Sequence, residues 1–190
     1  MRKCFLFLGI ICSGLLTNGC TINLPFQNRL SYHYVQAAKA MNEGKTEPIN
    51  LKWLPPDFPE RIDTQGASGF VGGGSRTRIP IGIGIANRIT EILDVMRGID
   101  PKSDKTLVIK VIEAKSEFEY SAGLLNLTPG MDVGRCFLEA EFTYPGKAWK
   151  DKFSAEVKDT TVGASTQVGV LEKAWDEIAL KVGKSVKDNI

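Results

Sequence analysis

The sequence predicts an α+β fold, a two-layer sandwich in which two helices cover one face of a mainly antiparallel sheet. Two observations support this prediction. Apolar residues recur at helical spacing in two separate segments, and between these segments they alternate with the period of two that is typical of strands. The predicted element order is strand, helix, three strands and helix, and it follows an irregular N-terminal stretch.

The first twenty residues have the pattern of an export signal. Arg2 and Lys3 precede an apolar run of about a dozen residues, from Phe5 to Leu16, which is too short to span a bilayer stably. The run is followed by T-N-G-C, residues 17–20, so that small and polar residues stand directly before Cys20. This ending resembles the lipobox of bacterial lipoproteins.

The resemblance implies that cleavage leaves Cys20 as the new N-terminus, with a diacylglyceryl group on its sulfur and an acyl chain such as palmitate on its amine. Each buried methylene contributes roughly 0.8 kcal/mol, so several chains give the stable membrane anchoring that one chain cannot give. Thr21 stands where an Asp is associated with retention in the inner membrane. We therefore expect the outer membrane, with the domain facing the periplasm. The alternative is an ordinary signal peptide followed by a chance cysteine.

Charge and cysteine content exclude several classes of partner and site. The chain has 24 basic and 22 acidic side chains, and two of the basic ones belong to the leader. The mature chain is thus formally neutral, which gives no reason to expect nucleic acid as a partner. Two of the four cysteines also lie in the leader. With Cys20 lipidated, Cys136 is the only free thiol of the mature chain, so no disulfide can form within it. Cys136 and the single His33 do not make a recognisable zinc site, so no metal or cofactor is expected.

We expect three parts along the chain. Residues 1–19 are the signal peptide, residues 20–75 are the lipidated N-terminus with a tether and a short helix, and residues 76–190 are the α+β domain. The short helix covers about 30–41, where apolar residues recur at helical spacing, and it ends before Gly44.

Two further stretches of the N-terminal part are interpreted as irregular. Four prolines within 48–60 predict that no regular element passes through that segment. The glycine-rich stretch 66–78 lacks the G-K-[ST] ending of a phosphate-binding loop, so it is interpreted as a linker or loop. Arg76 and Arg78 are its only indication of anion contact.

Two helices are predicted within the domain. Isoleucines alternating with proline and glycine predict a strand over 79–85, and a helix follows over about Ala86–Arg97. The apolar stripe of this helix consists of Ile85, Ile89, Ile92, Leu93 and Met96. The last helix covers about 166–186, and its stripe consists of Val168, Leu171, Trp175, Ile178, Val182 and Val186.

Three strands are predicted between these helices. The apolar side of the first, over 107–120, changes near Val111-Ile112, which indicates a β-bulge. The other two form a hairpin around a turn at Pro145-Gly146. Burial and charge agree on one register for it, which pairs Phe142 with Trp149, Leu138 with Phe153, Glu141 with Lys150 and Glu139 with Lys152.

The sequence contains no recognisable catalytic constellation. The only mature histidine, His33, lies far in sequence from any suitable nucleophile, and a G-x-S-x-G motif is absent. Glu139 with Glu141, and Glu117 with Glu119, could act as acid and base, but alternation on a solvated sheet face explains both pairs. Cys136 begins an apolar strand face, where a thiol usually packs as a small hydrophobe. The chain is therefore not expected to be an enzyme.

One segment is unusual for its length and its leucines. Residues 121–135 join two strands that a tight turn could have joined, and long loops are usually functional or partly structured. Leu124, Leu125, Leu127 and Met131 are concentrated there. They form either a binding site for acyl chains or a partner protein, or a closure of one end of the core.

The sequence thus predicts a non-enzymatic outer-membrane lipoprotein that binds a protein or lipid partner in the envelope. The alternatives are a periplasmic hydrolase with an unrecognised carboxylate site and a purely structural envelope protein. Over 76–186 the element order resembles that of small Gram-negative envelope lipoproteins, such as the auxiliary lipoproteins of lipid-transporting ABC systems and the lipopolysaccharide-assembly lipoproteins. No motif matches either group, so this resemblance assigns no site residue beyond Cys20.

Overall fold

The computed structural model describes residues 21–23, 27, 29–42, 44, 47–54, 62–65, 76–79, 82–121, 130–160 and 164–190. As predicted, these residues form an α+β fold, an open sheet with helices packed on one face. The strands are β1 (Thr21–Asn23), β2 (Asn50–Leu54), β3 (Ile62–Gln65), β4 (Arg76–Ile79), β5 (Thr106–Ser121), β6 (Met131–Tyr144) and β7 (Lys147–Thr160). The helices are α1 (Tyr32–Met41), α2 (Gly82–Arg97) and α3 (Ala164–Asn189).

The strand order in the described part of the sheet is β1-β4-β3-β5-β6-β7, and β2 also pairs with β5. The long strands β5, β6 and β7 are antiparallel and form most of the sheet. The short strands extend the sheet from the edge of β5 that does not pair with β6. There β2 and β3 run parallel to β5, β4 runs antiparallel to β3, and β1 runs parallel to β4.

The predicted strand over 79–85 is wrong. β4 ends at Ile79, and α2 begins at Gly82, so Ile85 belongs to the helix. Pro80 explains the end of the strand, since it has no N–H to donate to the ladder. Ile85 fits both the alternating and the helical pattern, and the helical pattern prevails because Ile85, Ile89 and Ile92 together enter the core, each at most 1% exposed.

The expectation that no regular element crosses 48–60 is also wrong, because β2 lies inside this segment. Pro48 precedes the strand and Pro55 follows it, so the prolines bound β2 without interrupting its ladder with β5. Ile49, just before β2, is fully buried and bridges to Ile99. Part of the expected N-terminal tether is thus built into the sheet.

The predictions for the hairpin and the bulge are confirmed. β6 and β7 have the predicted register throughout, from Met131 opposite Thr160 to Tyr144 opposite Lys147. Gly146 has a φ of 79°, the positive value that the third residue of a type II turn requires after a proline. The ladder between β5 and β6 shifts between Val111 and Glu113, which identifies Ile112 as the bulged residue.

The core lies between the helices and the inward face of β5–β7. α3 packs directly on β5, β6 and β7, while α2 packs on α3, and α1 packs on both of these helices. The predicted stripes of α2 and α3 are buried, apart from the partly buried Val168. Among the described residues, no helix has the length and apolar character needed to cross a membrane.

Candidate functional site

The predicted binding segment is described only at its two ends. Leu124, Leu125 and Leu127 lie outside the described residues, as does the predicted lipid site Cys20. Met131 is the first residue of β6, pairs with Ser121 at the end of β5, and is 44% exposed. Met131 therefore lies at the surface, at the end of the sheet where β5 ends and β6 begins.

The start of β6 is held tightly against α3. A Cβ atom at Gly134 would come within 2.9 Å of the carbonyl carbon of Val170, a distance that side-chain-bearing residues do not adopt. The missing side chain thus allows the first turns of α3 to rest on β6. Asp132 and Val133, the two residues just before Gly134, are 2% and 7% exposed. The first residues of β6 are therefore packed closely against α3.

A buried ion pair that was not predicted from the sequence joins α2 and α3. Arg88 Nε donates to Asp176 Oδ1 at 2.6 Å, and the two side chains are 1% and 3% exposed. The guanidinium also donates through Nη1 to the carbonyl of Gly84, one turn earlier in α2. A buried charge pair of this kind needs its remaining donors and acceptors satisfied, and the chain between β1 and α1 provides two of these partners.

That chain is fastened to the helices by four side chains. Arg88 Nη1 donates to the carbonyl of Gln27 at 2.6 Å, and Asp176 Oδ2 accepts from the N–H of Ser31 at 3.2 Å. Two carboxylates make further bonds, since Glu91 accepts from the N–H of Leu30 and Glu172 from the N–H of Gln27. We call residues 27–31 the N-terminal strap. It fixes the chain on the helix layer only a few residues after β1.

The sulfur of Cys136 lies in a buried polar chain. The indole of Trp175 donates to Ser116 Oγ at 2.9 Å, the Ser116 hydroxyl lies 3.7 Å from Cys136 Sγ, and this thiol reaches the carbonyl of Leu171 at 3.9 Å. Burial raises the pKa of the Cys136 thiol to about 12, although the hydrogen bond from Ser116 acts in the opposite direction. A thiol with such a pKa is a poor nucleophile at neutral pH.

The carboxylates of Glu119, Glu139 and Glu141 lie on the outer face, which is the sheet face opposite the helices, and each is paired with a cation. Glu139 accepts from both Lys150 at 2.5 Å and Lys152 at 3.1 Å, and these bonds lower the pKa of its carboxyl. Glu141 pairs with Lys110, its register partner on β5, and not with Lys150, its register partner on β7. Glu119 pairs with Arg135, so the outer face carries a ladder of ion pairs.

A depression of about 380 Å³ lies on the β7 side of the sheet. Most of its charged lining is engaged in ion pairs: Lys115 contacts Glu113, Arg135 contacts Glu119 and Glu156, and Lys181 contacts Glu177. Among the described residues, no group of three or more His, Cys, Asp and Glu side chains could hold a metal ion. His33 is exposed on α1, where its ring meets Tyr34 edge to face.

No family model matches the chain. No curated protein matches it either.

Solved structures that match this chain include three bacterial proteins. Rare lipoprotein B from Shewanella oneidensis is 12% identical, with a TM-score of 0.42 over 75% of this chain and 92% of the other. A protein from Xanthomonas campestris of the DUF330 family is 10% identical, with a TM-score of 0.49 over 88% and 94%. A minor lipoprotein from Acinetobacter baumannii is 12% identical, with a TM-score of 0.40 over 55% and 83%. Likeness at this level says nothing about what this chain binds.

Proposed function

We propose that this chain is a non-enzymatic lipoprotein of the bacterial outer membrane, anchored by acyl chains on Cys20 and facing the periplasm. In this proposal the segment that joins β5 to β6, with Leu124, Leu125, Leu127 and Met131, binds a protein or lipid partner. The observation that carries it is the leader: an apolar run over Phe5–Leu16 is followed by T-N-G-C, residues 17–20, directly before the first residue of β1.

The short distance between Cys20 and the fold supports a role at the membrane surface. Thr21 is the next residue, and it pairs with Arg76 in the ladder of β1 and β4. An acylated Cys20 would therefore hold the domain against the bilayer, without a long spacer. The strap over 27–31 fixes the following chain on α2 and α3, so that the anchor and the helix layer are mechanically connected.

The state of the candidate catalytic groups supports a binding protein over an enzyme. A general base must be free to take a proton, whereas Glu139 is held by two lysines. A nucleophilic thiol must be accessible and readily ionised, whereas Cys136 is 3% exposed and its pKa is raised to about 12. The feature that favours a contact surface is the concentration of Leu124, Leu125, Leu127 and the exposed Met131 in one joining segment.

Metabolic labelling with an alkyne fatty acid tests the anchor. The wild-type chain should take up the label and sediment with outer-membrane vesicles on a density gradient. Cys20→Ser should take up none and accumulate as an uncleaved or released form. Cys136→Ser is the matched control, since it removes the other mature thiol and should label like the wild type. A wild-type chain that is cleaved but unlabelled would contradict the proposal.

A further inference from the structure

We propose that the end of the sheet where β5 ends and β6 begins faces the bilayer and touches the lipid headgroups. This inference rests on the proposed lipid anchor at Cys20, and it names the membrane as the partner of this surface. We call the surface formed around Ser121, Met131 and Thr160 the proximal end. Met131 is in register with both of the other residues, so the three mark one line across β5, β6 and β7.

The strand register relates Thr21, the residue after Cys20 in the sequence, to the proximal end. Thr21 is level with Arg76, Arg76 with Gln65, and Gln65 with Glu117 on β5. Three strand steps of about 4.8 Å and four residues of about 3.3 Å then separate Thr21 from Ser121, which amounts to about 20 Å. Sheet twist rotates neighbouring strands by about 20–25° but leaves their register intact, so this proximity is retained.

The direction of β1 leads to the same end. β1 is parallel to β4, β4 is antiparallel to β3, and β3 is parallel to β5. β1 is therefore antiparallel to β5, so its N-terminal end at Thr21 points in the direction in which β5 advances toward Ser121. The turn at Pro145-Gly146 lies at the other end, since Tyr144 is nine residues beyond Arg135, the β6 partner of Glu117, or about 30 Å at 3.3 Å per residue.

These positions indicate how deep the proximal end lies relative to the lipid headgroups. Acyl chains on Cys20 lie in the hydrocarbon, so the cysteine itself must sit near the headgroups. The end of β5 extends about 13 Å past the level of Thr21, given four residues at about 3.3 Å each. An apolar surface at that depth is stabilised by sinking about 5–10 Å into the interface. Met131, an apolar side chain that is 44% exposed in water, lies where such contact would occur.

The formal neutrality of the mature chain is consistent with membrane contact through the proximal end. Without a net positive charge there is no strong attraction that would lay the ion-paired outer face on anionic lipids. Lys150, Lys152 and Lys158 on that face are each paired with a glutamate. Orientation is then set by the anchor and by apolar contact at the proximal end.

Site-directed fluorescence quenching tests the orientation in the acylated protein. Met131→Cys and Thr160→Cys report on the proximal end, and Ala148→Cys, exposed next to the hairpin turn, is the matched distal control. Each variant is labelled with an environment-sensitive maleimide, while the buried Cys136 of the folded wild type gives the background. The proteins are reconstituted in phosphatidylethanolamine and phosphatidylglycerol vesicles that contain a headgroup nitroxide lipid.

We expect quenching at positions 131 and 160 to exceed that at 148 several-fold. Two reporters keep the test valid if one substitution disturbs the fold, which a thermal melt in detergent would show. Equal quenching, or stronger quenching at 148, in protein that carries the fatty-acid label would overturn the orientation and leave the anchor intact. Protein that takes up no label would overturn the anchor, and the orientation with it.

Discussion

Trp175 on α3 donates its indole N–H to the hydroxyl of Ser116 on β5, with 2.9 Å between the two heavy atoms, and both side chains are buried. This bond joins the helix layer to the sheet at the centre of the core. It also satisfies the one polar atom of a large aromatic side chain that is 1% exposed.

Ser116→Ala should therefore lower the free energy of unfolding by about 1–3 kcal/mol, because it leaves a buried donor without a partner. Urea denaturation followed by tryptophan fluorescence would measure this. Ser154→Ala, at an exposed position of β7, is the matched control and should stay within about 0.5 kcal/mol of the wild type. Equal stability of the two variants would show that the bond contributes nothing.

Trp175→Ala removes the whole side chain and should cost about 3–5 kcal/mol, since it leaves a large cavity beneath α3. Glu141→Ala breaks only the partly exposed pair with Lys110 and should cost less than about 1 kcal/mol. Comparable losses in parallel urea melts would mean that the assignment of inward and outward faces is in error.

The ion pair of Arg88 and Asp176 predicts a coupled loss of stability and of strap attachment. Asp176→Ala leaves a buried guanidinium uncompensated and should cost about 3–5 kcal/mol. The Arg88→Met, Asp176→Leu double variant removes both charges and should recover much of this stability. Glu177→Ala, which breaks an exposed pair one position along the helix, should cost less than about 0.5 kcal/mol.

The rate of proteolysis in the N-terminal strap provides a second measurement of this prediction. Both variants of the ion pair lose bonds to Gln27 or Ser31, so trypsin should cut after Arg29 faster than in the wild type. The double variant is decisive, because it should be stable yet readily cut. A stable double variant that is cut no faster than the wild type would show that the ion pair does not hold the strap.

The raised pKa of the buried Cys136 thiol should lower the free energy of unfolding at high pH. Its pKa rises from an ordinary value of 9.0 to about 12 in the folded protein. Above pH 9 the unfolded chain gives up the thiol proton while the folded chain keeps it, so its contribution is complete below pH 9 and is lost between 9 and about 12. The slope from this group is at most about 1.4 kcal/mol per pH unit.

Comparison with Cys136→Ala isolates this group from the lysines that titrate in the same range. The difference in unfolding free energy between the two proteins should shrink as pH rises from 9 to 11. The wild-type thiol should also resist iodoacetamide at pH 8 until urea unfolds the chain. A difference that is constant with pH, or rapid alkylation of the folded protein, would contradict a buried, unreactive thiol.

Elements with a clear internal period were predictable from the sequence. The hairpin of β6 and β7 has its predicted register because burial and charge specify the same alignment. The prediction of its ion pairs was incomplete, since lysine side chains reach diagonally. Lys150 contacts Glu139 although it stands opposite Glu141. A register determines which residues are neighbours, but long flexible side chains choose among several partners.

The short strands could not be predicted in the same way. β2 has five residues, and the strand that it joins begins more than fifty residues later, so its stability comes from a partner that local sequence does not reveal. Arg88 did carry a signal, because it stands three residues after Ile85 on the apolar stripe of α2. Its partner Asp176 lies 88 residues away and could not be identified without the fold.

The leucine-rich segment is tested by changing Leu124 and Leu125 together to Ser. If the segment binds a partner, the melting temperature should stay nearly unchanged, while lipids or proteins that copurify with the wild type from detergent-solubilised envelopes should be lost. The exposure of Met131, the first residue of β6, favours this outcome. Mass spectrometry of copurified material beside a thermal melt of the same preparation measures both quantities.

A matched control distinguishes binding from a general loss of apolar surface. Leu54 and Ile112 are 46% and 42% exposed on β2 and β5, away from the proximal end, and their double change to Ser should preserve both the melt and the copurified partner. If Leu124 and Leu125 instead close the core, each buried leucine lost would cost about 2–5 kcal/mol and the variant would unfold. A folded variant that retains every copurified species would eliminate the segment as a binding site, because its apolar side chains would then serve neither the partner nor the core.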